Sequence, residues 1–402
     1  MLIRKLNYLS EFFLWILAFG ITLANAPTEV SSYFLIAIFL IKIIISRDTK
    51  FLHSLIGILF SLFFIVVLIS AICSQYPGES WRGFSRVPKY IFLFFALLSL
   101  FSSDKKIMSR FFWVVIAASA ITFLNGIFQN IFGFDFFRHN SVNYLDYLHR
   151  IQSSFIDAND FGAYIISVLP LTFLFLNRGF SKAKRIMLFV VCLLGFYCLI
   201  RTSSRGAWLG FLAGISFYFF VYNKKIAIAI PVLVILLLII TPKGLDRVTG
   251  LFKQEKNTVW ERTVLWKSAW GMIKERPVLG QGVNTFSEYF PKYKPADYPD
   301  LRYAHNSYLQ MWSEIGIVGL LLFLSIPLAI LIRTLRGIKI KATKGPYGLM
   351  LLGLIAGYTG FLVHSIFDNN LFSLMLTTLF WVMSAYIIAL NKTFAKELYA
   401  EK

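Results

Sequence analysis

The chain has 402 residues, 57% of them hydrophobic, with a mean hydropathy of +0.68 and a formal net charge of +20. That composition excludes a soluble globular enzyme and points to a chain crossing lipid many times. Its surplus Lys and Arg flank apolar runs and form no soluble basic domain, so anionic lipid, not nucleic acid, is the expected counterpart.

Apolar runs long enough for tilted helices place membrane spans near residues 10–26, 30–45, 51–72, 88–101, 110–131, 160–177, 185–200, 206–222, 226–241, 306–332, 347–367 and 371–390. The expected fold is therefore an all-α polytopic membrane protein with about 12 transmembrane helices. Residues 1–241 carry spans one to nine, residues 242–304 form an outer loop with an interfacial helix, and residues 305–402 carry spans ten to twelve. Residues 6–26 are expected to be an ordinary first helix and not a cleaved leader, because so many spans follow. Most Lys and Arg of the short connections fall on one side, which puts both termini in the cytoplasm and the long loop outside. Cys73, Cys192 and Cys198 lie in or at the ends of apolar spans, where an odd trio suggests neither a disulfide framework nor a zinc site.

The polar segments on the outer side come next in chain order. The first outer loop offers only Asn25-Ala26-Pro27-Thr28-Glu29, with no cluster of aspartates to hold a metal. Asp157-Ala158-Asn159-Asp160 precedes the sixth span and reads as a helix cap. Arg201-Thr202-Ser203-Ser204-Arg205-Gly206 is a tight turn in which Arg205 precedes a helix start. A guanidinium beside unpaired helix amides suits a phosphate, and an arginine reaching to the interface is the equally open alternative. Residues 259–274 read as a helix with Arg262, Trp266, Ala269 and Ile273 along one face. Trp260, Trp266 and Trp270 would anchor it at the membrane surface. Gly280-Gln281-Gly282 permits a turn that side chains would block, and residues 290–303 read as irregular surface chain. His305 opens the tenth span at the outer boundary, where an imidazole is suited to general-base work or simply to capping. Glu314 falls on the opposite side of that helix and over two turns deeper, so a carboxylate supporting His305 must come from another segment.

No Gly-rich nucleotide loop, nucleotide-binding domain or Ser/His/Asp constellation is visible. Any reaction must draw its energy from the substrate, and a pre-activated lipid diphosphate fits; no metal or other cofactor is expected.

The motifs Thr202-Ser203-Ser204-Arg205-Gly206-Ala207-Trp208, residues 262–266, Pro277-Val278-Leu279-Gly280-Gln281-Gly282, Ala304-His305-Asn306-Ser307-Tyr308-Leu309-Gln310 and Glu314-Ile315-Gly316-Ile317-Val318-Gly319 together resemble the O-antigen ligase and polymerase superfamily of bacterial membrane glycosyltransferases. A weaker match covers residues 150–159. The resemblance implies a GT-C type enzyme of the bacterial inner membrane, active on the periplasmic face, that moves a glycan from undecaprenyl diphosphate to an acceptor hydroxyl. It implies His305 as general base and Arg205 and Arg262 as the grip on the diphosphate, with Arg150, Arg302, Asn306 and Tyr308 as further candidates for touching substrate. Fixed guanidiniums suit a leaving group that gains negative charge. One dominant outer loop between spans nine and ten matches the ligase branch, with the lipid A core as acceptor. A repeat-unit polymerase and a protein O-oligosaccharyltransferase are the alternatives. A lipid-linked sugar transporter ranks behind them, because transporters place polar sites near the bilayer midplane.

Overall fold

A computed structural model describes residues 2–139, 141, 150–222, 258–296, 298–337 and 345–400. The helices are α1 (Leu2–Leu23), α2 (Asn25–Ser46), α3 (Leu55–Ile72), α4 (Pro77–Ser103), α5 (Lys105–Phe132), α6 (Ala158–Val168, continued by a 3₁₀ stretch Leu169–Leu176), α7 (Lys182–Thr202), α8 (Arg205–Tyr222), α9 (Thr258–Glu275), α10 (Phe286–Tyr293), α11 (Ser307–Gly337), α12 (Pro346–His364) and α13 (Leu374–Ala400). Among the described residues ten helical segments are long and apolar enough to cross a bilayer, and α8 is a shorter apolar helix. The chain is thus an all-helical, multi-pass membrane protein, as its composition requires. The expected span at 226–241, and the part of the expected outer loop before residue 258, lie outside the described residues.

Local chemistry sets the helix ends. Ser54 accepts from the Gly57 amide at the start of α3, Asp104 from Lys106 at the start of α5, and Asp157 from Asn159 and Asp160 at the start of α6. Gly133, at φ 85°, closes α5 in the left-handed region. Helix α4 begins eleven residues ahead of the expected span at 88. Glu79, Arg82, Arg86 and Pro88 dilute the apolar signal of this first half, which packs beneath the outer loop: Asn284 Nδ2 donates to the Glu79 carbonyl at 3.3 Å.

Small residues let three elements approach closely at the bundle centre. A Cβ added to Gly210 of α8 would lie 2.6 Å from the Gly360 carbonyl oxygen of α12, and one on Gly357 would meet the Ser167 carbonyl of α6. This contact ties the start of α8, and with it Arg205, to the end of α12. Two carboxylates of the bundle are paired with cations, Glu11 with both Nε and Nη2 of Arg110 and Glu29 with Lys89 at 2.7 Å.

The described part of the segment expected outside (the outer layer) folds with its own core. Leu265, Ala269 and Met272 of α9 pack on Phe286, Tyr289 and Phe290 of α10 and on Ala304, with Trp260 and Trp266 against them. Residues 290–303 are consequently not wholly irregular. Phe286, Tyr289, Phe290 and Tyr293 recur at helical spacing, and Pro291 removes only one hydrogen bond from a two-turn helix. Trp270 alone of the three tryptophans is exposed, edge-on to Trp312.

This layer is latched to the bundle through a break in α11. Gly316 has φ 69° and ψ 179°, so the carbonyls of Ser313 and Glu314 lose their helical donors. The Pro277–Gly282 motif replaces them: Gln281 N donates to Ser313 O at 2.9 Å, Gly282 N to Glu314 O at 2.8 Å, and Ile317 N to Pro277 O at 2.9 Å. Two motifs that the sequence offers separately are therefore the two halves of one joint. The ends of α5, α7 and α12 and the starts of α6, α8, α11 and α13 meet at the same end of the bundle, beneath this layer.

Candidate active site

His305 lies in the turn entering α11 with φ 47°, a left-handed conformation that costs a residue with a Cβ roughly 1–2 kcal/mol. Its Nδ1 is 2.9 Å from Oδ1 of Asp368, which sits between α12 and a 3₁₀ turn at Asn370–Phe372. The Asn369 amide also donates to that oxygen, at 2.8 Å. With Nδ1–H committed to the carboxylate, Nε2 carries the lone pair. The imidazole is 40% exposed and the carboxylate 7%, so the pair presents a base at the surface of the site and keeps its counter-charge dry.

The hydrogen bond that His305 donates to Asp368 raises its pKa above the ordinary value; burial opposes this, and the Asp368 charge adds to it. Burial pushes the Asp368 carboxyl up, but the His305 hydrogen bond and the charges of His305 and His364 outweigh it, and the group sits at about 2. Both directions describe the same ion pair. The second oxygen of Asp368 is buried without a hydrogen-bond partner among the described residues.

Arg262 of α9 is the arginine whose charge acts on His305. Burial depresses its pKa, the Asp368 carboxylate opposes that, and the guanidiniums of Arg205 and Arg150 depress it further. Arg262 in turn acts on His305. It makes no hydrogen bond or ion pair with any described residue. Arg150 and Arg205 thus act on Arg262, and Arg262 acts on the His305–Asp368 pair, which links arginines from three separate segments to it. Arg205 starts α8 and is exposed; Gly206 beside it packs against Phe367, one residue before Asp368. Arg150 is fixed by its Nε to Thr202 O at 2.7 Å and its Nη2 to Asn159 Oδ1 at 2.6 Å. Arg201 turns away to Asn130 at 2.9 Å.

Two further carboxylates border the pair. Asp157 caps α6, and burial and then the Asp368 charge raise its pKa. Asp160 accepts from the Ser373 hydroxyl at 3.1 Å.

The remaining candidates have other surroundings. Asn306 Oδ1 accepts from the amides of Tyr308 and Leu309, both at 3.0 Å, and so caps α11. The Tyr308 hydroxyl donates to Leu362 O at 2.7 Å. Arg302 is exposed in the chain leading to His305. Sequence reasoning missed Asp368, whose only signal is the run Asp368-Asn369-Asn370, three polar residues in a short turn between two apolar spans. It also missed the task of Gln310, a buried amide that accepts from Ala304 N at 3.0 Å and from Asn369 Nδ2 at 2.5 Å.

The motifs of α8, α9, the latch and the His305 turn fall within a family-model match described as O-antigen ligase, which spans residues 188–324. That segment is similar to the O-antigen ligase family. Asp368 lies beyond the matched residues. The chain is also similar to the teichuronic acid biosynthesis protein TuaE of Bacillus subtilis, 26% identical over 269 residues, 60% of this chain and 52% of the relative. An uncharacterized protein of Haemophilus influenzae is 28% identical over 174 residues, 37% of this chain and 44% of the relative. The chain spans about half the length of these curated relatives.

Proposed function

We propose that the protein is a membrane glycosyltransferase that moves a glycan from a polyprenyl diphosphate, undecaprenyl diphosphate in the first instance, to an acceptor hydroxyl. The observation that carries this reading is the group of Arg150, Arg205 and Arg262 around the His305–Asp368 pair. The acceptor O–H gives its proton to Nε2 of His305, its oxygen bonds to the anomeric carbon, and the carbon–oxygen bond to the diphosphate breaks on the opposite face with inversion. The proton ends on His305, where Asp368 stabilises the imidazolium, and the electron pair leaves with the diphosphate, which Arg262 and Arg205 neutralise. Holding donor and acceptor in line supplies much of the acceleration. With arginines taking the developing charge, the step is written without a metal.

The site end of the bundle faces the periplasm in this reading, with both termini cytoplasmic. The first acceptor is the lipid A core, in keeping with the family description of ligase. A relative named for teichuronic acid biosynthesis favours a second reading, in which the acceptor is another lipid-linked repeat unit and the product a polymer. Purified protein in proteoliposomes, given outward-facing polyprenyl-diphosphate glycan, tests both. One glycan joined to added lipid A core supports the ligase, a ladder formed without it supports the polymerase, and no transfer to either acceptor refutes the proposal.

A further inference from the structure

The His305 turn is in a strained backbone conformation, and the Asp368 turn is a short loop between helices. A buried relay joins them. Gln310 Oε1 accepts from Ala304 N, the residue before His305, at 3.0 Å and from Asn369 Nδ2, the residue after Asp368, at 2.5 Å. Asn369 Oδ1 accepts from Asn306 N, the residue after His305, at 3.2 Å. One turn along α11, Gln310 Nε2 donates to Glu314 Oε1 at 3.0 Å. Glu314 accepts from Asn284 N at 2.8 Å and Phe286 N at 3.4 Å, at the start of α10. Gln310 is 2% exposed and Glu314 3%, so every group in the chain depends on its partner. Glu314 is too far along the helix to touch His305, and the amide between them closes the gap.

We propose that Gln310 and Glu314 are positioning residues that set the spacing between the base and the anion grip. Glu314 holds the outer layer that carries Arg262, Gln310 holds both halves of the His305–Asp368 pair, and the bond between them joins the two. This rests on the reading of His305 as the base for glycosyl transfer.

The relay has a direction that an exchange of side chains tests. Gln310→Glu alone sets two carboxylates against each other, and Glu314→Gln alone sets two amide NH2 groups against each other. The double variant Gln310→Glu with Glu314→Gln restores every pairing but the long one from Phe286 N: the carboxylate now at position 310 accepts from Ala304, Asn369 and the new amide, and that amide's oxygen accepts from Asn284. The expected result is that each single variant lowers kcat by at least about tenfold with donor KM within about twofold, and the double variant returns to within about threefold of the original. The pH dependence of diethylpyrocarbonate modification at His305, read by mass spectrometry, shifts in the singles and returns in the double. That readout needs no glycosyl transfer, so it stands even if the proposed function fails. If a single variant does not fold, the double is expected to restore folded protein with the original His305 titration. A double variant no better than the singles, or singles that match the original in both readouts, overturns the inference.

Discussion

Replacing Asp368 with Asn removes one charge and almost nothing else. Oδ1 of residue 368 receives both the Asn369 amide and His305 Nδ1–H, so the new side chain keeps its oxygen there and places its NH2 where the unpartnered oxygen was. The imidazole tautomer survives, with Nε2 still unprotonated. Under the proposed mechanism, what is lost is the stabilisation of the imidazolium formed as the acceptor gives up its proton. A hydrogen bond to a charged group contributes about 1.5–3 kcal/mol, which corresponds to a loss of about 10- to 150-fold in kcat/KM. That is far short of the roughly ten-thousandfold loss that follows when a catalytic histidine is trapped in the wrong tautomer. The pH profile moves as well. Asp368 raises the His305 pKa, and a general base works only when neutral, so activity is present above that pKa and lost as pH falls through it. Asp368→Asn lowers the pKa and carries the acidic limb to lower pH. The assay is transfer of labelled glycan by purified protein in nanodiscs across the acidic range. An unchanged rate, or a limb displaced to higher pH, would refute the role given to Asp368.

Gly316→Ala must force a Cβ into a site 2.0 Å from the Val278 carbonyl oxygen at φ 69°, so the latch between α11 and the outer layer opens. The left-handed conformation alone costs roughly 1–2 kcal/mol, and a lower melting temperature by intrinsic tryptophan fluorescence is expected. Gly210→Val drives a branched side chain against the Gly360 carbonyl and separates α8 from α12; folded yield in detergent should fall sharply, and an unaltered yield would contradict the packing. Chelator added to the transfer assay should leave the rate unchanged, because the charge on the leaving group is met by arginine; a loss restored by a divalent ion would contradict that.

Most of the spans are legible because hydrophobic length alone specifies a membrane helix, and Arg150, Arg205, Arg262 and His305 stand out because polar groups at the outer boundary are few. The first half of α4 is hidden by its charges, of which Glu79 meets Asn284 of the outer layer. Helix α10 is hidden by Pro291, whose effect on a two-turn helix is smaller than its weight in a sequence pattern. The latch is invisible because it pairs backbone groups, and no side-chain pattern announces that Gly316 breaks a helix so that residues 277–282 enter. Asp368 escapes for a related reason. Its partner lies 63 residues earlier in the chain, and an aspartate at a span end has ordinary uses.

The central claim is that guanidinium groups hold a lipid diphosphate while His305 takes the acceptor proton, and one binding experiment separates the two tasks. Affinity for polyprenyl-diphosphate glycan, measured with His305→Ala and Arg262→Ala in nanodiscs, is expected to stay within about threefold for the first, which forms no product, and to weaken by at least about tenfold for the second. Product from His305→Ala, or donor bound by Arg262→Ala as tightly as by the unaltered protein, would contradict the account.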